Sequence, residues 1–214
     1  MRALRAFLSS QRAAAAAEFA LVLPLAMLFL FGIVDAGRFG WDVNRAEKAT
    51  QIGARWAVAT DIIPGGDASD GLKNYSYAVS SSVPQGTVVD ESLFPGVACI
   101  SSSGTLTCTC KPRGTCPFSL SIDTAAQSAF DAVVGRMQAQ YSAISADNVE
   151  VDYDWSGLGF AGDPNGADVS PIVTVKLRNM QFQPITLYLF NASLPMPSFS
   201  YSLTMEDGDG TYSN

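Results

Sequence analysis

The chain has 214 residues, which suits one modest domain with an anchor, and it is acidic, with 13 Lys and Arg against 20 Asp and Glu. Three of the basic residues (Arg2, Arg5 and Arg12) precede an apolar run, so the remainder is more acidic still and argues against nucleic-acid binding through a basic face. Histidine is absent from the sequence, which removes Ser-His and Cys-His nucleophile pairs and the commonest metal ligand.

The first predicted element is an apolar helix over residues 13–34, which contains one charged residue, Glu18. At about 1.5 Å per residue it is long enough to cross a hydrocarbon core of about 30 Å. The arginines lie on its N-terminal side, so the positive-inside rule predicts a cytoplasmic N-terminus and export of the rest. There are two alternatives. The helix could be an ordinary signal peptide that is cleaved before Gly37, or it could be a plain permanent anchor.

Three features of this helix indicate contacts with other helices. A carboxylate costs about 2.5–3.5 kcal/mol at mid-bilayer, so Glu18 predicts a positive partner on another helix of the membrane. Pro24 removes one backbone hydrogen bond and predicts a kink. Gly32, Ala36 and Gly40 recur at every fourth residue and form a small-residue face suited to close helix packing.

The basic leader is followed by AAAAEFALVLPL, which resembles the processing region of type IV pilin-like precursors, and most closely the TadE-like pseudopilins of tight-adherence (Flp) pilus systems. The next segment, GRFGWDVNRAEKATQIGARWAVAT, is similar to that family's region after the anchor. The resemblance implies that a prepilin peptidase cuts between Ala13 and Ala14, where the family usually has Gly before the cut. It also implies that Glu18, then the fifth residue, pairs with the new α-amino group of a neighbouring subunit.

The exported part begins with an amphipathic helix that continues the anchor to about Thr60. Its polar arc consists of Asn44, Glu47, Lys48, Gln51 and Arg55, while Phe39, Val43, Ala46, Gly53 and Ala57 lie on another arc. Residues 61–120 are rich in Ser, Gly, Pro and Thr and are predicted to be loops with short strands. A second amphipathic helix is predicted to start after an N-cap at Asp123 and to run to about Ser145.

All four cysteines lie in residues 99–116, at Cys99, Cys108, Cys110 and Cys116. A β-hairpin with its turn at Ser103-Gly104 would set Cys99 opposite Cys108. Pairing Cys108 with Cys110 is sterically poor, and the hairpin register favours 99–108 with 110–116 over 99–110 with 108–116. A zinc site is the rival interpretation, but C-x8-C-x-C-x5-C is not a regular zinc motif and export favours oxidation.

Three segments near residues 149–155, 173–178 and 199–205 alternate strictly between apolar and polar residues and are predicted strands. The fold class is therefore α+β, with an N-terminal transmembrane helix that extends into an amphipathic helix packed on a small antiparallel sheet, as in pilins. Glu150, Asp152 and Asp154 are interpreted as a solvated strand face that pairs with basic residues of the next strand, rather than as catalytic carboxylates. DPNGAD (163–168) and EDGDG (206–210) hold oxygen ligands for calcium, without a full loop pattern.

The resemblance implies a minor pilin-like, TadE-type protein that acts in assembly of a Flp pilus for surface attachment, and the residues predict no enzyme activity and no cofactor or metal. The predicted parts are a basic cytoplasmic leader (1–13), a transmembrane helix (14–36), the amphipathic helix (37–60) and an exported α+β domain (61–214). The expected partners are a prepilin peptidase, other pilin-like subunits and inner-membrane pilus assembly proteins. The expected location is the bacterial inner membrane with a periplasmic domain, and incorporation into the extracellular pilus is the further destination.

Two alternatives to the pilin interpretation stay open at this point. A permanently anchored or secreted envelope binding module would skip processing and use residues 99–116 to contact surfaces or sugars. A secreted hydrolase would need a pair of Asp or Glu residues, and the sequence offers no recognisable site of this kind.

Overall fold

The structure, a computed structural model, describes residues 11–164 and 166–205. The helices are α1 (Gln11–Ala57), α2 (Tyr77–Ser80) and α3 (Thr124–Gln140). The strands are β1 (Val97–Ser102), β2 (Thr105–Cys110), β3 (Val149–Asp154), β4 (Ile172–Leu177), β5 (Gln181–Phe182), β6 (Leu194–Pro195) and β7 (Phe199–Thr204). The chain divides into two compact units, of which one holds the residues up to Asp42 with Gln181–Pro195, and the other holds Val43–Met180 with the residues from Met196 onwards.

A five-stranded antiparallel sheet in the order β2-β1-β3-β4-β7 forms the framework of the larger unit. The three strands predicted from alternation are β3, β4 and β7, and they are neighbours. Glu150 of β3 lies opposite Lys176 of β4, so the predicted pairing of acidic and basic strands is confirmed. With the long apolar helix α1, the sheet confirms the α+β fold class.

Helix α3 covers this core with one apolar stripe. Its buried residues are Ala126, Ala129, Phe130, Val133, Val134 and Met137. Asp123 caps the helix as predicted, because its Oδ1 accepts a hydrogen bond from the Ala126 N–H at 2.8 Å. The helix ends at Gln140 and not near Ser145, because Tyr141 has extended backbone angles. Tyr141 and Ile144 remain buried after the helix has ended, so their apolar spacing continued past its true end.

The C-terminal part of α1 belongs to the same unit and packs closely through Gly53. A Cβ at Gly53 would lie 2.8 Å from Met137 Cγ of α3 and 3.4 Å from Val175 Cγ1 of β4. Arg45 donates from Nη2 to the Gln140 carbonyl oxygen at 2.9 Å, at the C-terminus of α3. The buried arc of the amphipathic helix is observed, and α1 ends at Ala57, slightly earlier than predicted.

Residues 61–120 are mostly loops, as predicted, with the β1–β2 hairpin at their centre. The hairpin has the predicted register, with Cys99 opposite Cys108 and Ser102 opposite Thr105. The structure contains the disulfides Cys99–Cys108 and Cys110–Cys116. Because these bonds engage all four cysteines, the zinc interpretation of this segment has no free thiolate to use.

The acidic strand β3 differs from its interpretation as a solvated face. Asp152 is only 2% exposed, because Lys111 and Lys176 both reach its Oδ2, at 2.8 and 2.6 Å. Lys176 also contacts Glu150 Oε1 at 3.1 Å. The charges therefore pair as predicted, but Asp152 is buried beside two lysine ammonium groups and does not face water.

The smaller unit contains the N-terminal part of α1 and a short hairpin. Strands β5 and β6 pair antiparallel and enclose residues 183–193, called here the hairpin loop. A single 3-10 turn, Tyr188–Phe190, forms the tip of this loop. These two-residue strands were not predicted from the sequence.

Candidate functional site on the N-terminal helix

Helix α1 has the length and composition of a membrane span, and among the described residues it is the one helix that does. It continues through Pro24 as a single helix. Large apolar side chains of its N-terminal half are exposed in the isolated chain, among them Phe19, Leu21, Val22, Leu28, Phe29 and Ile33. Such a helix is unfavourable in water, and its surface fits a hydrocarbon environment.

Glu18 is exposed on this helix. Within the part of the chain whose side chains are described, no hydrogen bond or ion pair is made by Glu18. The two residues of the expected cut, Ala13 and Ala14, have helical backbone and precede Glu18 by little more than one turn. The structure therefore places the three predicted residues at one end of one helix.

The small-residue face and Glu18 point in the same direction. Ala36 follows Glu18 by 18 residues, which is about five turns at 3.6 residues per turn, so both lie on one side of the helix. A Cβ added at Gly32 or Gly40 would meet nothing within 4 Å. This side of α1 therefore offers a carboxylate and a flat, uncovered surface to another helix.

Asp35 is a site residue that the sequence interpretation missed. It follows the apolar run directly, yet it is only 6% exposed. Its Oδ1 accepts a hydrogen bond from the Ile185 N–H at 2.8 Å, and its Oδ2 accepts from the Thr186 N–H and Oγ1, both at 2.9 Å. Arg38, one turn later, completes an ion pair at 3.0 Å. The carboxylate thus fastens the hairpin loop to the helix.

Aromatic contacts hold the base of the same hairpin. The ring of Phe182 in β5 meets Phe39 edge-on, with the centroids 5.4 Å apart. The Arg38 guanidinium lies over the same Phe182 ring, 5.3 Å from its centroid. The spacing of Asp35 and Arg38 was visible in the sequence as an i,i+3 pair, but nothing in it indicated a partner so far along the chain.

The candidate calcium ligands do not form a cation site in the described residues. No cluster of three or more His, Cys, Asp or Glu side chains suited to a metal occurs there. Asp168 is buried and uses both oxygens on the backbone, accepting from the Tyr77 N–H at 2.6 Å and from the Asp163 N–H at 3.1 Å. Asn165, Glu206, Asp207 and Asp209 lie outside the described residues.

Comparison with known proteins identifies a family that is similar to part of this chain. Residues 13–55 match the family model of TadE-like proteins. No curated protein and no solved structure gives a significant match to the chain. The family match confirms the resemblance seen in the sequence, and it contains Ala13, Glu18, Asp35 and the small-residue face.

Proposed function

We propose that this chain is a minor pilin-like, TadE-type subunit that a prepilin peptidase processes between Ala13 and Ala14, and that it acts in assembly of a Flp pilus for surface attachment. The observation that carries the proposal is Glu18, which has no partner among the described side chains and lies on an open helix face inside the segment that matches TadE-like proteins. The work of such a subunit is assembly, without catalysis or a cofactor of its own.

The chemistry of the proposal is an ion pair inside the membrane. Cleavage before Ala14 creates a positive α-amino group near the start of the helix. In the low dielectric of the bilayer this group and the Glu18 carboxylate of a neighbour attract strongly, provided that both are present. A correctly paired neighbour would remove the cost of an isolated charge, and the pair would fix the register of the two helices.

The proposed location is the bacterial inner membrane, with the N-terminus in the cytoplasm and the folded part in the periplasm. The arginines before the apolar run support this orientation. The two disulfides support exposure to an oxidising compartment. Other pilin-like subunits and inner-membrane assembly proteins would contact the face that holds Glu18 and Ala36.

Processing is tested by the N-terminal mass of the membrane-extracted protein, expressed with and without a prepilin peptidase. We expect a new N-terminus at Ala14 only when the peptidase is present. Since the family usually has Gly before the cut, Ala13→Gly should increase the processed fraction. A start at Met1 or Gly37 in both samples would contradict the proposal.

The role of Glu18 is tested by Glu18→Gln, which keeps the size of the side chain and removes the charge. We expect loss of most pilus assembly, measured by filament yield, with unchanged thermal unfolding of the exported part. The matched control is Glu47→Gln, a second exposed glutamate of α1. Wild-type filament yield from Glu18→Gln, or equal loss in both variants, would refute the pairing.

A further inference from the structure

We infer that the hairpin loop is a membrane-interface anchor, which inserts beside α1 among the acyl chains of the leaflet that borders the exported domain. The inference rests on the proposed membrane span of α1 and goes beyond it. It assigns a lipid-binding role to a segment outside the matched residues 13–55.

The loop presents apolar side chains that the protein does not cover. Tyr188 is 68% exposed and Phe190 is 77% exposed. Between the loop and the helix lies an open groove of about 660 Å³, lined mainly by apolar side chains. Its main walls are Pro24, Met27, Leu28 and Phe31 of α1 and Ile185 and Tyr188 of the loop. This shape and chemistry fit an acyl chain.

The depth of the loop along the helix favours lipid over water. Asp35 marks the end of the apolar run, and Phe31 and Pro24 precede it by about 6 and 16 Å of helix axis at 1.5 Å per residue. Because Ile185 and Tyr188 line the groove with these residues, they lie beside the hydrocarbon part of the span. The same bilayer that covers the exposed helix would therefore cover the tip of the loop.

Backbone hydrogen bonds within the loop favour an apolar environment, where an unpaired N–H costs several kcal/mol. Asp35 accepts from the N–H groups of residues 185 and 186. The N–H groups of residues 188, 190, 191 and 192 donate to carbonyl oxygens of residues 185–188. Pro184 has no N–H to satisfy. The N–H groups of residues 185, 186, 188 and 190–192 thus have acceptors in the helix end or in the loop itself.

The lack of charged side chains in the segment also favours insertion into lipid. Residues 181–195, QFQPITLYLFNASLP, contain no charged side chain, although the chain as a whole is rich in acidic residues. Among the described residues, the carboxylate that accepts hydrogen bonds from the loop is Asp35, which is paired with Arg38 of the groove lining. The segment therefore brings no charged side chain of its own into the apolar region, and the charges at its base form a pair.

The position of the groove around the helix favours lipid over a second copy of the chain. On an ideal helix the groove residues of α1 (Pro24, Met27, Leu28, Phe31 and Arg38) are centred about 135° from the side that holds Glu18 and Ala36. A neighbouring subunit that pairs with Glu18 would pack on that other side. The groove then remains open to the acyl chains.

The test is a nitroxide label at Phe190→Cys in the full chain, reconstituted in vesicles of phosphatidylethanolamine and phosphatidylglycerol. The native cysteines are all in disulfides, so the added thiol is the one that reacts. We expect several-fold higher collision with oxygen and several-fold lower collision with a water-soluble nickel complex than for the exposed reference Val79→Cys. The second reference, Val22→Cys, reports on the membrane span itself.

Each outcome of the labelling experiment either supports or overturns the inference. A lipid-immersed label at residue 190 together with one at residue 22 supports the inference, and adding Asp35→Asn should move only the label at 190 towards water. A lipid-immersed label at 22 with a water-exposed label at 190 overturns the inference and leaves the span intact. A water-exposed label at 22 overturns the proposed membrane location. A label at residue 190 that is shielded from both reagents also overturns the inference. If its spectrum is broadened and dilution with unlabelled chain removes the broadening, the groove is occupied by a second copy.

Discussion

Among single residues, Asp152 shows how a buried charge is stabilised in this domain. Burial by itself raises the pKa of Asp152, but hydrogen bonds from Lys111 and Lys176 and their positive charges outweigh it and lower the pKa. For Lys176, burial lowers the pKa, and the bonds to Asp152 and Glu150 raise it above the ordinary value. Asp152 and Lys176 are therefore both charged across the neutral range.

The signs of these pKa shifts define a pH window for stability. A carboxylate with a lowered pKa stabilises the fold above its ordinary value of 3.8, and the contribution is lost as the pH falls through the lower folded value. A lysine with a raised pKa stabilises the fold below 10.5, and this contribution is lost as the pH rises through the folded value. The charged pair of Asp152 and Lys176 therefore stabilises the domain between pH 3.8 and pH 10.5.

Asp152→Asn should lower the free energy of unfolding at neutral pH by about 1–3 kcal/mol, because it removes a buried partner of two lysines. The difference from the wild type should shrink as the pH falls below 3.8 and through the lower folded value, where the wild-type carboxylate also becomes neutral. Denaturant unfolding over a pH series measures both. The control Glu91→Gln, in an exposed pair with Arg113, should cost about 0–0.5 kcal/mol. Equal losses in the two variants would contradict the role of burial.

Among the elements, those with a long regular pattern could be predicted from the sequence. Strict alternation identified β3, β4 and β7, and the turn residues Ser103 and Gly104 identified the β1–β2 hairpin and its register. The end of α3 could not be placed, since Tyr141 and Ile144 keep the helical spacing of buried residues after the helix has ended. Periodicity reports which side chains face the core, and the core can continue where the helix does not.

The hairpin of β5 and β6 could not be predicted for a different reason. Each strand has two residues, too few for any alternation to be visible. The contacts that hold its loop join Asp35 to Thr186, and a sequence pattern does not indicate partners at such separation. Of the candidate site, Ala13, Ala14 and Glu18 were predicted through family resemblance and stay predictions, while Asp35 required the structure.

The attachment of the hairpin loop to α1 is testable by Asp35→Asn. The amide has one acceptor oxygen where the carboxylate has two, so it cannot satisfy both backbone N–H groups. We expect the amides of Ile185 and Thr186 to exchange with solvent about ten-fold faster, as measured by hydrogen exchange. Asp42→Asn, also on α1, should leave their exchange unchanged. Unaltered protection in Asp35→Asn would show that the rest of the hairpin holds the loop.

For the whole molecule, the disulfides connect the fold to the compartment in which it forms. The bonds Cys99–Cys108 and Cys110–Cys116 close loops with sequence separations of 9 and 6. On the chain-entropy estimate, loops of this size stabilise a domain by about 2–3 kcal/mol each. A chain retained in a reducing cytoplasm would lack this contribution, which agrees with the proposed export.

Replacing Cys99 and Cys108 together by Ser should therefore cost about 2–3 kcal/mol in denaturant unfolding under oxidising conditions. Reduction of both proteins serves as the internal control, because it removes the remaining disulfides and should bring the two stabilities together. A difference that persists after reduction would assign the loss to packing of the buried Cys99 side chain.

The hydrogen bond between Asp35 and the hairpin loop also affects the order in which the chain folds, because Asp35 and Ile185 are 150 positions apart. At about 5–20 residues per second, the ribosome adds Ile185 and Thr186 about 8–30 s after it has completed the helix end at Asp35. During that interval the carboxylate has its near neighbour Arg38 and lacks the hairpin loop. The hairpin loop can therefore bind the helix end only after the C-terminal part of the chain has been synthesised. A truncated chain that lacks Ile185 and Thr186 cannot form these contacts.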